Sequence, residues 1–224
     1  MEMTDYSSLL LRSLPLFCKG FLMTIQILIC SASLSLMLGL FFGIVSYNRW
    51  SVGWLRWIVE GVTFVLRGVP FFVQLLLVYF VFPHLLGFDL EPFPASVIAL
   101  GLCSSGYVAQ IIRGGLNAIS HLQWESAFVL GLSRIQSLRY VILPQLLRHV
   151  LPMLNNELDA LLKSTSIVSS IGVLELTRAG MNIVSREMQP VPTYLTIALF
   201  YLCMSALLNV LSRRIEKKLA YAKS

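Results

Sequence analysis

Few side chains in this sequence of 224 residues are placed to do chemistry. Asp159 and Lys163 stand four residues apart in a stretch, 150–174, that is mostly apolar and carries one further charge, Glu157. Residues four apart on a helix share a face, so the two can pair along it, which lowers their cost in low dielectric without abolishing it. A zwitterionic ligand, offering both signs, could compete for such a pair. The pair can equally be a structural ion pair at a subunit interface, and both readings stand at this point.

Other chemistry is excluded by what the sequence omits. It has no Gly-x-x-x-x-Gly-Lys-Ser/Thr loop to cradle nucleotide phosphates, no His-Glu-x-x-His pair and no acidic cluster for a metal. Hydrolysis of ATP by the chain itself and a resident metal or cofactor are therefore not expected. Cys18, Cys30, Cys103 and Cys203 show no Cys-x-x-Cys spacing, and the last three fall inside apolar runs. His84, His121 and His149 share no ligand spacing and read as structural. A membrane enzyme acting on lipid would need acidic or histidine residues converging at one leaflet, and no such set is found.

Composition decides the solvent. The chain is 57% hydrophobic and 12% charged, with mean hydropathy +0.78, more apolar surface than one soluble core of this size needs. An uncharged run covers residues 20–47; at about 1.5 Å per residue it exceeds a hydrocarbon core of about 30 Å. It is also too long for the apolar core of a secretory signal, about 7–15 residues. The net charge of +6 and pI near 9.3 would suit nucleic acid in a soluble protein, yet the basic residues form no continuous patch, and no nucleic-acid partner is expected.

Apolar runs at 20–47, 68–90, 92–112 and 190–212 each meet the length of a crossing helix. The fifth crossing is 150–174, whose Glu157, Asp159 and Lys163 each cost a few kcal/mol in lipid and so should face protein or water. Counted from Arg148, Asp159 lies about 16 Å deep and Lys163 about 22 Å, both past the midplane. Residues 56–67 either cross the inner leaflet, with Glu60 and Arg67 buried, or lie along the interface; one long, tilted second span is favoured. The expected fold is all-α, a polytopic transmembrane bundle of about five spans. Ser31, Ser35, Gly39 and Gly43 line one side of the first span at four-residue steps, which suits close helix packing within the chain better than a dimer seam.

Five spans put the termini on opposite sides, and basic residues choose the orientation. With the C-terminus inside, eleven of the 17 Lys and Arg residues are cytoplasmic: Arg49, Arg56, Arg113, Arg134, Arg139, Arg148, Arg213, Arg214, Lys217, Lys218 and Lys223. Four, Arg12, Lys19, Arg178 and Arg186, are then outside, while Arg67 and Lys163 lie too deep to count. The expected order is an extracytoplasmic segment 1–19, a transmembrane domain 20–215 and a cytoplasmic tail 216–224. The basic run Arg213-Arg214-Ile215-Glu216-Lys217-Lys218 suits an anchor facing anionic membrane lipid, with contact to a soluble partner as the alternative.

The longest cytoplasmic segment, 113–148 between the third and fourth spans, carries two helix starts. Ser120 with Gln123 and Ser133 with Gln136 each match a capping box, in which serine and glutamine satisfy orphan backbone N–H groups reciprocally. Gly131 permits a left-handed residue between the two short helices, and Pro144 keeps the second from continuing unperturbed. The result is a helical elbow with Trp124, Glu125 and Phe128 on its first arm. Residues alone allow a rigid docking knob for a soluble partner or an amphipathic interfacial helix.

Glu125-Ser126-Ala127, then Gly131, then Ile142-Leu143-Pro144 resembles the signature of ABC-transporter inner-membrane permease subunits, in which Glu-Ala-Ala precedes a glycine and a Leu-Pro; Ser126 replaces the commoner alanine. The stretches from Arg67 to Gln74, from Ser105 through Arg113-Gly114-Gly115 to Glu125, and from Leu162 to Thr177 resemble the polar amino-acid branch of that family, which often has Asp where Ser164 stands. The likeness covers about residues 20–215. It implies an ATP-driven importer subunit in a bacterial inner membrane that pairs with a second copy or a sister permease. Its other partners would be two cytoplasmic ATPases, which bind the ATP, and an extracytoplasmic substrate-binding protein. The elbow would be the coupling helix, with Glu125, Ser126, Ala127, Gly131 and Pro144 as coupling residues and Asp159 and Lys163 as a possible path for a polar amino acid. Against it stand an ion-coupled carrier working alone, which should show paired Gly/Pro-broken spans in two halves, and a membrane anchor without transport.

Overall fold

The computed structural model describes residues 3–47 and 53–221, and every regular element among them is helical. Arg49 and Lys223, two of the eleven inner charges expected from the sequence, lie outside the described residues. The order is α1 (Met3–Val45), α2 (Gly53–Gly68), α3 (Phe71–Leu76), a π turn (Leu77–Val81), α4 (Phe82–Leu86), α5 (Pro92–Ala118) and α6 (His121–Val129). There follow α7 (Arg134–Ser137), a second π turn (Leu138–Ile142), α8 (Leu143–Ser164), a 3-10 helix (Thr165–Ile171), α9 (Leu176–Glu187) and α10 (Pro190–Tyr221).

Among the described residues, α1, α5 and α10 are each long and apolar enough to cross a bilayer alone, and two broken helix pairs raise the number to five when each pair counts as one span. The first break corrects the expectation of one long, tilted second span. Pro70 has no N–H to donate and disfavours helical backbone at Val69, so α2 ends and α3 starts afresh. The second broken pair joins the α7–α8 stretch with its 3-10 extension to α9.

Residues 3–19 are helical and continuous with the rest of α1, and α10 carries helix on to Tyr221. Pro92 and Pro190 sit at the first positions of α5 and α10, where a missing N–H costs nothing. Leu22, Ile29, Met37 and Phe41 of α1 lie exposed, as side chains that meet lipid or another chain do.

The chain divides into two compact units. One comprises Met1–Leu34, Pro70–Gly101 and Ala160–Leu207, with a core that includes Phe17, Ile27, Leu75, Leu100, Leu162, Leu176 and Ile183. In it, Thr24 of α1 accepts a hydrogen bond from the Leu176 amide at 3.1 Å, and Phe17 stacks on Phe200 with ring centroids 5.9 Å apart.

The other unit comprises Ser35–Val69, Leu102–Asp159 and Leu208–Ser224. Its buried cluster joins Tyr47, Val108, Ile112, Leu116, Ile119, Trp124, Ile142, Leu146 and Val150. The small residues of α1 find their partner here. A Cβ on Gly39 would collide with Val108, and one on Gly43 would come within 2.7 Å of Ile112, so this part of the stripe packs α1 against α5 of the same chain. Asn155 of α8 donates to Asn209 of α10 at 2.9 Å.

Candidate functional site

The elbow is built by local hydrogen bonds. Ser120 caps α6 by accepting from the Leu122 amide at 3.3 Å. The first capping box itself does not form: Ser120 Oγ takes the Leu122 amide rather than that of Gln123, and Gln123 Oε1 accepts from Gln145 of α8 at 3.2 Å. At the other end, Gly131 adopts φ 78°, its amide bonds to Phe128 O at 2.9 Å, and the Leu132 amide reaches back to Ala127 O at 3.0 Å. This is the two-bond pattern of a Schellman stop, in which the left-handed residue carries least strain as glycine. Space around Gly131 is open, so the backbone angle, not crowding, calls for glycine.

The second box is complete. Ser133 Oγ accepts from the Gln136 amide at 3.3 Å, while Gln136 Oε1 accepts from the Ser133 amide at 2.9 Å. Pro144 perturbs the second arm without ending it. Helix continues from α7 through the π turn into α8, with Pro144 at the second position of α8. The wider π turn relieves the clash between the proline ring and the preceding turn.

Tertiary packing sorts the elbow's side chains by face. Trp124 and Ala127 turn inward, Trp124 into the buried cluster beside Ile119 and Ile142. Glu125 and Ser126 face outward, and Pro144 is half-buried. Trp124, expected on the docking face, is therefore the anchor of α6. The outward face carries Leu122, Phe128, Val129, Leu130 and Ile135, with Val129 87% exposed. Apolar side chains so exposed and so close together mark a contact surface. A concavity of about 400 Å³ between α6 and the following arm is lined by His121, Trp124, Glu125, Phe128, Arg134, Ile135 and Leu138. Glu125 Oε1 sits against His121 Nδ1 at its edge, so His121, read as structural from spacing, touches the candidate coupling carboxylate.

Asp159 and Lys163 lie on α8 as expected, Asp159 half-buried and Lys163 exposed. A polar chain near them was not legible in the sequence. Ser35 Oγ donates to Ser104 Oγ at 2.8 Å, and Ser104 Oγ donates to Glu157 Oε1 at 2.7 Å. It joins α1, α5 and α8 and meets the hydrogen-bonding need of a carboxylate in a membrane helix.

The segment from Leu162 to Thr177 has its own organising residue. Glu175 is fully buried and caps α9, accepting from the Thr177 and Arg178 amides at 2.7 Å each. The motif around it thus serves the joint between the 3-10 helix and α9.

With this geometry in place, comparison with known proteins is decisive. Residues 35–221 match the family described as "Binding-protein-dependent transport system inner membrane component". The chain belongs to this family. It is similar to the glutamine transport system permease protein GlnP of Escherichia coli (strain K12), 35% identical over 92% of this chain and 94% of the relative. It also resembles the arginine transport system permease protein ArtQ of Bacillus subtilis (strain 168), 32% identical over 96% of this chain and 97% of that one. Among solved structures, the crystal structure of an amino acid ABC transporter with histidines superposes with TM-score 0.86 at 34% identity, covering 97% of this chain and 100% of that one.

Membership fixes the class: the chain is a helical membrane component of a transport system, of about five spans. Within this permease, the motif residues divide by task. Val69-Pro70 breaks a span, Gly106 lets α5 approach α2, Gly131 turns the elbow and Glu175 caps α9.

Proposed function

We propose that this permease is the membrane-spanning subunit of an ATP-driven importer that carries a polar amino acid across the bacterial inner membrane, with the N-terminus outside and the C-terminus in the cytoplasm. The elbow docks on a pair of cytoplasmic ATPases, which bind and hydrolyse the ATP. A second copy or a sister permease completes the pathway, and an extracytoplasmic binding protein delivers the substrate. The single observation that supports docking best is the face of α6, where a carboxylate stands among exposed apolar side chains on a helix anchored from behind by Trp124.

Transport follows from displacement of α6. Closure of the ATPases on ATP shifts the docked elbow, and the helices packed behind it shift between arrangements open to one side and then the other. Glu125 and Ser126 supply polar contacts, Ala127 seats the helix, Gly131 aims it, and Pro144 with its π turn joins it to α8. Asp159 and Lys163 offer charges of both signs to the carboxylate and ammonium of the substrate. Likeness to glutamine and arginine permeases supports a polar amino acid as the substrate class.

The experiment is to tag the chain, extract it in mild detergent and assay co-purifying ATP hydrolysis in wild type, Glu125→Ala and an elbow deletion. Hydrolysis that co-purifies and depends on the elbow is expected. A chain that emerges without a nucleotide-binding partner would sink the reading. Uptake of labelled glutamine, arginine and histidine by proteoliposomes then ranks substrates, and a reporter fused to either end of the chain reads the orientation.

A further inference from the structure

In the unit that holds the elbow, α5 meets α2 at two heights. At Gly106 the helices approach closely, and a Cβ there would lie 3.0 Å from Arg67 Cγ and 3.3 Å from Thr63 O. Two turns along α5, about 10 Å away, the contact is ionic. Arg113 Nη1 donates to Glu60 Oε1 at 2.8 Å. The same oxygen accepts from Arg56 Nε at 2.8 Å, one turn away on α2. Arg113 Nη2 in turn donates to Gln110 Oε1 at 2.7 Å, on α5. All three charged side chains are partly buried, at 33%, 23% and 29% exposure for Arg56, Glu60 and Arg113.

A partly buried ion pair between helices is ordinarily costly to open, because each partner is left without its countercharge. Here each keeps a partner on its own helix when the cross-helix bond parts: Arg56 for Glu60 and Gln110 for Arg113. The link between α2 and α5 can therefore open and close at modest cost.

Its position connects it to the elbow. Arg113 lies five residues before the end of α5, which reaches α6 through Ile119 and Ser120 alone. Ile112, Leu116 and Ile119 share one buried cluster with Trp124 of α6, and cores packed at this density move as a body. We propose that Glu60 is a positioning residue: with Arg113 it forms a reversible latch that passes displacement of α6 to α2, and Arg56 holds Glu60 while the latch is open. The latch rests on the reading of α6 as the coupling helix.

The test uses the complex with its co-purifying ATPase and binding protein in proteoliposomes, measuring uptake and ATP hydrolysis together for the amino acid taken up fastest. Glu60→Gln and Arg113→Gln should each lower uptake per ATP about tenfold, as loss of a charge-assisted bond predicts. The double variant should be no worse than either single, since both remove one interaction. Arg56→Gln keeps the latch and removes only its resting partner, so uptake and hydrolysis should slow together at unchanged ratio. Should Glu60→Gln impair assembly, Glu60→Asp, which shortens reach and keeps charge, is read in its place with the same expectation. Unchanged uptake per ATP in Glu60→Gln and Arg113→Gln, additive losses in the double variant, or an Arg56→Gln that uncouples like Glu60→Gln overturns the latch. Gly131→Val separates this from failure of the coupling reading: if it leaves uptake per ATP at the wild-type value, α6 is not the coupling helix.

Discussion

Tyr201 donates its hydroxyl to Glu175 at 3.0 Å, joining α10 to the capped start of α9. Thr177 Oγ1 lies 3.3 Å from the same phenol oxygen and Thr165 Oγ1 lies 3.5 Å away, so the start of the 3-10 helix, the start of α9 and α10 meet around one phenol–carboxylate pair. A buried carboxylate is tolerated when its oxygens accept several hydrogen bonds, and two amides and a phenol supply them here.

Removing that carboxylate should loosen the joint. Glu175→Ala is expected to cost about 2–3 kcal/mol, the loss of a helix cap together with a buried polar group left unpaired. Tyr201→Phe, which removes one donor and keeps the ring, should cost about 1 kcal/mol. Thermal unfolding of the solubilised protein measures both, and equal losses would show that the phenol rather than the cap carries the joint.

At Gly131 the backbone angle makes the prediction sharp. An ordinary residue in the left-handed region costs about 1–2 kcal/mol, and a β-branched one more. Gly131→Val should therefore lower ATP-coupled uptake about tenfold, whereas Gly131→Asn should retain most of it, because Asn tolerates that conformation. Uptake by proteoliposomes distinguishes the two; equal losses would mean that the side chain, not the backbone, matters there.

Trp124 and Glu125 are neighbours in sequence with opposite tasks. Trp124→Ala empties a buried site and should destabilise the protein by about 3–5 kcal/mol. Glu125→Ala should leave the melting temperature unchanged and weaken ATPase association about tenfold. Melting curves and pull-down of the ATPase activity, run side by side, check the split.

For α8, Lys163→Met should reduce uptake and alter the ranking of glutamine, arginine and histidine. Unchanged rates and ranking in vesicles would leave Asp159 and Lys163 as structural charges, and a melting curve taken alongside separates loss of function from loss of fold.

Much of this permease was legible from local pattern. The apolar runs 20–47, 92–112 and 190–212 revealed three crossing helices because lipid demands continuous length, and Ser133, Gln136 and Gly131 revealed the elbow because caps and left-handed stops act within a single turn. Where local pattern misled, a longer-range competitor had intervened. Gln123 engaged Gln145 on another helix rather than its own cap.

The sequence by itself determined the solvent, the helical class, the approximate number of spans and the existence of an elbow, since each depends on residue type and near spacing. Only the tertiary structure decided that Trp124 faces in while Glu125 faces out, that Gly39 and Gly43 seat α5, and that Glu175 belongs with Tyr201. It also decided that Glu60 shares its charge with Arg113, 53 residues away. Such pairings depend on which faces the packed helices present to one another, and spacing along the chain carries no record of that.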